Sequence, residues 1–424
     1  MIRKIINKTV FHAYEAGWSI AIPFLKKHKR ISDGFQQRIV KNNHFKQSDI
    51  WIQAASGGEA FLALELLEKA SFGSTKKILL TSNTRQGLDI LERSKKLFSH
   101  RNYDIQTSFS PFDKPVIMEK AITEISPKVM VLIELEMWPG LLRALKKHPA
   151  KTIIVNGRLT EKSLNGYLKW PSLWREIAPD KILAISEADS NRFKQLFDNT
   201  TVEVMNNIKF DRLSFIKGKC ERSETNPLIQ LANSKRKIVV LGSIRAEEEE
   251  TVGFLIKGLQ QKNPEIDIWL FPRHMHRIDA WKQKCNELKI KWQLRSEIKA
   301  PNASVDIIIW DKFGELGFGY ELADAAFVGG SLAPLGGQNF LEVLETGIVP
   351  VTGPFWENFI WTGEAIIEQG LLYKEADWEK VLDRLSQQIQ NRESRENILT
   401  KLSDYLNSRR GGTAFACEQI KELL

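Results

Sequence analysis

Short apolar runs alternate with longer amphipathic stretches along most of this 424-residue chain, beginning near residue 49. Apolar runs of this length suit strands that are buried on both faces, and the amphipathic stretches suit helices that cover a sheet. The alternation is typical of β-α-β units and predicts an α/β fold with parallel sheets. The predicted strands are residues 50–54, 77–81, 129–133, 152–155, 181–184, 237–241, 266–271, 307–310, 325–328 and 349–351.

These strands fall into two series, which we interpret as two doubly wound, Rossmann-like domains facing a central cleft. We expect an N-terminal segment at residues 1–48, a first domain at residues 49–212 and a second at residues 213–424, with a linker region at 221–235. Ligands of such folds bind outside the carboxyl ends of the strands, so this arrangement suits a transferase with two substrates. The predicted helices are residues 59–70, 87–97, 114–125, 139–147, 247–261, 277–288, 339–345 and 356–369, with further helices between 377 and 424.

Glycines cluster behind the predicted strand 325–328, at residues 329–330 and again at 336–337, just before a predicted helix. Glycine lets a backbone approach a ligand closely, and a helix N-terminus offers unpaired N–H groups to an anion. Glu342 lies early in this helix and is placed to accept hydrogen bonds from a sugar hydroxyl. The segment therefore indicates a nucleotide-sugar site, with the phosphate at the helix end and the ribose on Glu342.

The chain is basic, with 61 Lys+Arg against 52 Asp+Glu and a net charge of +9. This excess favours anionic partners such as phosphorylated substrates or an acidic membrane surface. No basic block interleaved with aromatic residues and no zinc-finger pattern is evident, so we expect no nucleic-acid partner. The cysteines, Cys220, Cys285 and Cys417, are odd in number and far apart, which predicts neither a disulfide framework nor a metal cluster and fits a reducing cytoplasm.

An aromatic and apolar run at residues 10–25 is followed at once by Lys26, Lys27, Lys29 and Arg30. The run is shorter than the roughly 20 residues needed to span a bilayer. Two interpretations stay open. One is an interfacial helix whose basic flank binds anionic lipid, and the other is an amphipathic helix packed on the domain.

Three glutamates follow predicted strands and are candidates for catalysis. Glu59 stands at the start of a helix, where a carboxylate can act as a general base towards a sugar hydroxyl or simply cap the helix. The helix N-terminus would lower the pKa of Glu59, whereas burial would raise it. Glu134 and Glu136 alternate onto one face behind strand 129–133 and need either a cationic partner or a shared proton. Arg158 is our candidate for the cationic partner. The alternative for this pair is a structural ion pair.

Several segments, in order, resemble the Kdo (3-deoxy-D-manno-oct-2-ulosonic acid) transferases of glycosyltransferase family 30. They cover about three quarters of the chain, and each motif is weak alone. The matching segments are residues 51–59 (WIQAASGGE), 134–139 (ELEMWP), 155–159 (VNGRL), 207–211 (NIKFD), 242–243 (GS), 272–274 (PRH), 311–316 (DKFGEL) and 325–342.

The resemblance implies a GT-B fold and an inverting transfer of Kdo from CMP-Kdo to a lipid A precursor, lipid IVA, in lipopolysaccharide biosynthesis at the cytoplasmic face of the inner membrane. It implies no cofactor and no metal, since the single phosphate of CMP-Kdo leaves no pyrophosphate for magnesium to bridge. The alternatives are a GT-B transferase that uses another nucleotide sugar and a catalytically silent relative that binds a nucleotide sugar or membrane.

The resemblance also assigns roles to individual residues. Glu59 is the general base, and Glu136 and Lys209 stabilise the transition state. The residues implied in binding CMP are Pro272, Arg273, Phe313, Gly314, Glu315, Asn339, Phe340, Leu341 and Glu342, with Gly58, Arg158, Ser243 and Gly337 as further candidates.

The chain departs from the family at Arg245, where relatives often have histidine. The run at residues 247–250, four glutamates, follows it, and we expect a solvated helix start there because acidic residues are favoured in a first turn. Arg245 would then contact the Kdo carboxylate or pair with this run.

Overall fold

The computed structural model of the chain describes residues 2–28, 31–41, 44–213, 225–232, 236–298 and 305–424. Cys220, Lys29, Arg30 and the linker residues 221–224 and 233–235 lie outside the described residues.

The first sheet contains seven parallel strands in the order β3-β2-β1-β4-β5-β6-β7. From β1 the chain adds β2 and β3 on one side of the sheet and then adds β4 to β7 on the other side. The switch point of this doubly wound fold therefore lies between β1 and β4. Helices from residue 2 to 196 surround the sheet. The strands are β1 (Ile50–Gln53), β2 (Lys76–Ser82), β3 (Tyr103–Phe109), β4 (Val129–Ile133), β5 (Lys151–Gly157), β6 (Lys181–Ala184) and β7 (Thr201–Val204). The helices are α1 (Ile2–Leu25), α2 (Phe35–Arg38), α3 (Gly57–Lys69), α4 (Arg85–Glu92), α5 (Ser94–Leu97), α6 (Pro115–Ile125), α7 (Pro139–Lys146), α8 (Glu161–Tyr167), α9 (Pro171–Glu176) and α10 (Glu187–Leu196), followed by a 3₁₀ turn at Ile208–Phe210.

Two apolar layers cover the two faces of this sheet. In β4, Val129, Val131 and Ile133 enter one layer, whereas Met130 and Leu132 enter the other. All five are fully buried. A parallel strand that is covered on both faces must be apolar throughout, which is why such runs could be recognised in the sequence.

The second sheet also contains seven parallel strands, in the order β10-β11-β9-β8-β12-β13-β14, and its switch point lies between β8 and β12. Its strands are β8 (Lys237–Ile244), β9 (Ile266–Pro272), β10 (Trp292–Leu294), β11 (Ile307–Ile309), β12 (Ala325–Val328), β13 (Val351–Thr352) and β14 (Tyr373–Lys374). The helices of this part and of the chain end are α11 (Glu249–Lys262), α12 (Ile278–Glu287), α13 (Leu316–Leu322), α14 (Leu341–Leu344), α15 (Ala365–Glu368), α16 (Trp378–Gln390), α17 (Arg395–Asn407) and α18 (Gly412–Glu422). Short 3₁₀ helices occur at Ile229–Leu231, Ala246–Glu248, Met275–Arg277, Arg295–Glu297 and Glu357–Thr362.

The chain divides into two compact units, one formed by Met1–Leu213 with Arg409–Leu424 and one formed by Ser214–Ser408. The predicted second domain ran to residue 424, but α18 packs on the first unit. The Asp211 carboxylate accepts hydrogen bonds from the N–H groups of Gly411 and Thr413, both at 2.7 Å, and so caps α18. Cys417 and Ile420 complete the apolar layer that includes α3. An amphipathic pattern shows that a helix needs a partner but not which domain supplies it.

Helix α1 docks on the first unit through one stripe of side chains. Phe11 is buried, Asn7 donates a hydrogen bond to the Glu176 carboxylate at 2.6 Å, and the Tyr14 hydroxyl donates to Asp113 at 2.7 Å. These contacts show that α1 packs on the domain, which is one of the two interpretations of residues 10–25. Among the described residues, no helix combines the length and apolar character that crossing a bilayer requires.

Candidate active site

In the first unit, the carboxyl ends of β1 and β4 bring three glutamates together at the switch point. Glu59 lies in the first turn of α3, directly after β1, and Glu134 and Glu136 follow β4. Adjacent parallel strands end at the same edge, and crossovers to opposite faces open a crevice there. The order of elements thus places the candidate site where a doubly wound fold binds its ligands.

The Glu59 carboxylate takes part in a capping box. It accepts a hydrogen bond from the Ser56 N–H at 2.7 Å, and the Ser56 hydroxyl accepts one from the Glu59 N–H at 3.5 Å. Burial, with a smaller contribution from the negative charge of Glu136, raises the pKa of Glu59 to about 7, against the opposing effect of its backbone hydrogen bonds. Of the two effects weighed from the sequence, burial prevails, so near neutral pH this carboxylate is able both to accept and to release a proton.

The Glu136 carboxylate is buried and held by three side chains. The Trp138 indole N–H donates to it at 2.8 Å, and the amides of Gln53 and Asn83 donate at 3.4 and 3.5 Å. Burial raises the pKa of Glu136, and these hydrogen bonds oppose that shift. The orientation of this carboxylate is fixed by neutral donors, since no cation contacts it among the described residues.

Glu134 pairs with Lys209, whose ammonium lies 2.7 Å from the carboxylate. Our prediction of Arg158 as the cationic partner was wrong, because Arg158 forms no ion pair with either glutamate in the described part of the chain. The backbone explains this outcome. Asn156 adopts a φ of 59° beside an irregularity in the pairing of β5 with β6, and its side-chain oxygen accepts from the Ile208 N–H at 2.9 Å. That contact anchors the 3₁₀ turn that carries Lys209.

Glu134 has a φ of 60°, a conformation that non-glycine residues adopt rarely. The strand therefore ends before Glu134, and the two glutamates reach the same region without the simple alternation we assumed. Such backbone outliers persist only where the surroundings hold them, and they cluster at functional sites.

Four residues of this site were missed as functional candidates: Gln53, Asn83, Trp138 and Asn156. Gln53 offered the clearest signal, because a polar residue inside a fully buried strand needs partners. Its side chain accepts from Ser110 at 2.7 Å and donates to Asn83 at 3.2 Å. Gly58, the remaining candidate of this unit, is exposed on the first turn of α3.

In the second unit, the carboxyl ends of β8 and β9 carry a group of cationic side chains. Pro272 is buried, whereas Arg273 is exposed. The backbone N–H of Arg273 donates to the Ile244 carbonyl at 2.8 Å. Slight burial and the positive charges of Arg245 and His276 lower the pKa of His274. Anions would be attracted to this group of side chains. Ser243, with a φ of 57°, lies at the same end of β8.

The glycine-rich segment differs from our prediction. Its N–H groups at Gly330, Ser331 and Leu332 all donate to the Glu248 carboxylate, the last two at 2.9 and 2.8 Å. These amides are therefore already paired, and the helix that follows, α14, has only four residues. The phosphate site expected on this loop and helix end is not formed by these groups.

The glutamate run at residues 247–250 is not a solvated helix start as a whole. Glu248 is 1% exposed and Glu249 is 8% exposed, whereas Glu247 and Glu250 face solvent. Glu249 forms a two-pronged ion pair with Arg277 at 2.9 and 2.6 Å. Arg245 lies 3.6 Å from Glu247, which fits one of the two roles left open for it.

The other predicted nucleotide-binding residues lie at the same edge of the second sheet with unequal access to a ligand. Phe313 is 83% exposed beside Gly314. The Glu315 carboxylate accepts from Arg295 and from the Trp310 indole N–H, at 3.0 and 2.9 Å, and its carbonyl accepts from the Gly319 N–H at 3.0 Å, so these groups are already paired.

The segment before α14 shows a similar division. Phe340 and Leu341 are buried and their carbonyls accept hydrogen bonds from residues 343–345, whereas Asn339 and Glu342 beside them are exposed. Asn339 donates to Glu342 at 2.7 Å, and Gly337, with a φ of 79°, donates to the Gly330 carbonyl at 2.7 Å.

No three His, Cys, Asp or Glu side chains within the described ranges are close enough together to hold a metal ion. Cys285 and Cys417 are free and buried, and burial raises the pKa of each thiol to about 12. A thiol with so high a pKa is a poor nucleophile.

The two parallel sheets, each with its switch point, define a class of protein, those with the GT-B fold. The structure of a glycosyltransferase from Rickettsia africae matches 89% of this chain and 99% of its own length, with a TM-score of 0.56 and 13% identity, a likeness that shows the fold alone.

Sequence comparison identifies the family. Residues 33–212 match the family described as 3-deoxy-D-manno-octulosonic-acid transferase (kdotransferase). The 3-deoxy-D-manno-octulosonic acid transferase of Rickettsia conorii is 30% identical over 363 residues, which cover 85% of this chain and 72% of the relative. The transferase of the same name from Haemophilus influenzae is 27% identical, over 88% and 87% of the two chains. The chain belongs to the Kdo transferase family, and it is a glycosyltransferase.

Proposed function

We propose that this enzyme transfers Kdo from CMP-Kdo to lipid IVA, with inversion at the anomeric carbon, at the cytoplasmic face of the inner membrane in lipopolysaccharide biosynthesis. The observation that carries this proposal is the Glu59 carboxylate, with a pKa raised to about 7, beside Glu136 and the Glu134–Lys209 pair at the switch point. Displacement by a sugar hydroxyl requires a base that accepts the proton of the hydroxyl, which is Glu59, and a positive charge that stabilises the leaving phosphate, which is the Lys209 ammonium.

Glu59 acts as the general base. The acceptor hydroxyl oxygen attacks the anomeric carbon of Kdo while its proton passes to the Glu59 carboxylate. The bond between that carbon and the phosphate oxygen breaks, and CMP leaves with the bonding electrons. A direct displacement of this kind inverts the anomeric configuration.

Lys209 and Glu136 act on charge in the transition state. As CMP departs, negative charge grows on its phosphate, and a nearby ammonium favours that change more than it favours the bound substrate. Lys209 would exchange part of its contact with Glu134 for the phosphate. Glu136, held by Trp138, would stabilise the positive charge that develops on the sugar ring.

The second unit would bind CMP at the end of its sheet. Arg273, which is exposed, is suited to bind the phosphate, and the segments 313–315 and 339–342 would meet the nucleoside through their exposed residues Phe313, Asn339 and Glu342. We propose that no metal ion and no cofactor take part, because a single phosphate needs no bridging cation.

The outer face of α1 would rest on an anionic membrane. Ile20 and Phe24 are 68% and 72% exposed, and the exposed Lys26 and Lys27 follow directly. Apolar side chains next to lysines are typical of helices that lie in the interfacial region of a membrane. The net charge of +9 acts in the same direction.

Purified full-length protein, CMP-Kdo generated in the assay and lipid IVA in vesicles test the proposal by product mass and by the anomeric configuration of the product. We expect a product heavier by one or more Kdo residues and almost none with Glu59→Ala. Transfer from UDP-GlcNAc or UDP-glucose, with none from CMP-Kdo, would establish the first alternative. Binding of CMP without turnover of any of these donors would establish a silent relative.

A further inference from the structure

A cavity of about 290 Å³ lies in the first unit, enclosed by α1, the segment after α1 and the α6–α7 side of the sheet. Its walls are mainly apolar. The apolar side chains in these walls include Trp18, Leu25, Phe112, Met118 and Leu141.

The polar groups in the cavity wall already have partners. The Arg38 guanidinium donates to the Asn83 carbonyl at 2.9 Å and lies over the Phe109 ring at 4.3 Å. The Asp113 carboxylate accepts from Tyr14 and from the N–H groups that begin α7. A ligand in this space is therefore not required to supply hydrogen bonds, which favours an apolar occupant.

The position of the cavity links two features of the proposed function. At one end, Gln53, Asn83 and Trp138 belong both to the cavity wall and to the group that holds the Glu136 carboxylate. At the other, Trp18 and Leu25 belong to α1, whose outer face carries the exposed Phe24. An amphiphile could thus place its polar head near the carboxylates while its tail extends towards the membrane-facing helix.

We propose that this cavity binds one fatty acyl chain of the acceptor lipid and so positions the sugar for attack. The inference rests on the proposed lipid acceptor. The volume of the cavity equals that of about ten water molecules, at roughly 30 Å³ each, and a methylene group is of similar size. Because the chain passes from one apolar medium to another, the cavity contributes orientation more than affinity.

The test fills the cavity from its rim. Leu25 is the half-buried last residue of α1 and lies outside the catalytic group, so Leu25→Trp narrows the space with little risk to the core. The control is Leu97→Trp, the same change at a 53% exposed position in α5. The value of kcat/KM is measured with acylated lipid IVA and with the deacylated sugar acceptor.

We expect Leu25→Trp to lower kcat/KM about tenfold with the acylated acceptor and to leave the deacylated acceptor unchanged, because only the former places a chain in the cavity. Leu97→Trp should change neither. Equal losses with both acceptors, or no loss with the acylated one, would overturn the inference while leaving the transferase activity established.

A second measurement does not depend on turnover. Dodecanoyl glucosamine with a diazirine at the chain end is irradiated with the full chain, and labelled peptides are identified by mass spectrometry. Labels on Met118 and Leu141 in the wild type, reduced in Leu25→Trp, are expected. Labels confined to the outer face of α1 would contradict the inference. Because labelling does not require Kdo transfer, this result would have the same meaning if the proposed function had failed.

Discussion

At the scale of single residues, Glu59 combines two roles that one substitution can separate. Its carboxylate caps α3 through Ser56, and its pKa is raised to about 7 by burial and by neighbouring carboxylates. Glutamine can replace glutamate in a capping box but cannot act as a base. Glu59→Gln therefore removes the proton chemistry and keeps the cap, whereas Glu59→Ala removes both.

We predict that Glu59→Gln changes how stability depends on pH. The folded-state pKa of Glu59 lies above its ordinary value of 4.5, so its contribution is fully present below pH 4.5 and is lost as pH rises through about 7. The wild type should lose roughly 1–3 kcal/mol over this range that the variant does not lose. Urea unfolding at several pH values measures this difference, and parallel pH curves for the two proteins would contradict the shifted pKa.

Lys209 should influence the same proton. Removing its ammonium leaves the Glu134 charge unopposed, and a further negative charge raises the pKa of Glu59 more. We predict that Lys209→Met shifts the rise of kcat/KM with pH to higher pH and lowers its plateau, while Lys209→Arg keeps the position of the rise. The pH dependence of the residual activity measures this effect. If the midpoint of the rise of kcat/KM with pH were unchanged in Lys209→Met, Lys209 would have no influence on the pKa of Glu59.

The sequence selected Glu59, Glu136 and Lys209, and the structure brings them together around Glu134. It misassigned Arg158, because the choice between the two cations depends on the left-handed backbone at Asn156, which leaves no periodic signal. Residue type and the end of a strand can be recognised from a sequence, but the partner of a charge is decided by backbone geometry far along the chain.

At the scale of elements, all ten predicted strands overlap strands of the structure, and the four that were missed share one property. They are β3, β7, β10 and β14, the edges of the two sheets. All four residues of β7 and all three of β10 are partly buried or exposed, so their sequences lack a continuous apolar run. Edge strands are less covered than central ones, which removes the signal on which the prediction relied.

The glycine-rich loop shows a different failure of pattern. Its glycines were interpreted as space for a ligand, but an internal carboxylate, Glu248, accepts from three of its N–H groups. A run of four glutamates looks uniform in sequence, yet two of the four are buried. Only packing distinguishes them.

We predict that Glu248→Ala destabilises the protein by at least about 3 kcal/mol, because two buried N–H groups and a half-buried one lose a charged acceptor. The matched control is Glu247→Ala, an exposed member of the same run, which should change stability by less than about 0.5 kcal/mol. Urea unfolding measures both. Similar small effects for the two variants would show that Glu248 does not hold this loop.

At the scale of the whole molecule, the chain returns to its first unit after completing the second. The number of domains and their fold followed from length and alternation, whereas this return did not. The contacts that define it, between Asp211 and the start of α18, join residues about two hundred positions apart. Such long-range contacts are not visible in local periodicity.

Deletion of residues 409–424 should therefore destabilise the first unit. Without α18, the apolar layer around Leu66 is exposed and Asp211 loses its contacts. We predict that hydrogen exchange accelerates in α3 and in the turn Ile208–Phe210, with little change in β8 and β9. Glu418→Ala, at an exposed position of α18, is the control and should leave exchange as in the wild type. Acceleration confined to residues 214–408 would contradict the observed division.

The pH dependence of single-turnover Kdo transfer tests the central claim most directly, measured for the wild type and for Glu59→Gln in the same lipid IVA vesicles. Since the deprotonated base is the active form, wild-type transfer should rise with pH and reach half its plateau near pH 7, where burial places the pKa of Glu59. Glu59→Gln, with its helix cap intact, should be slower by about a hundredfold or more and show no rise in this range. Transfer by Glu59→Gln at the wild-type rate and with the wild-type pH profile would contradict the assignment of Glu59 as the base.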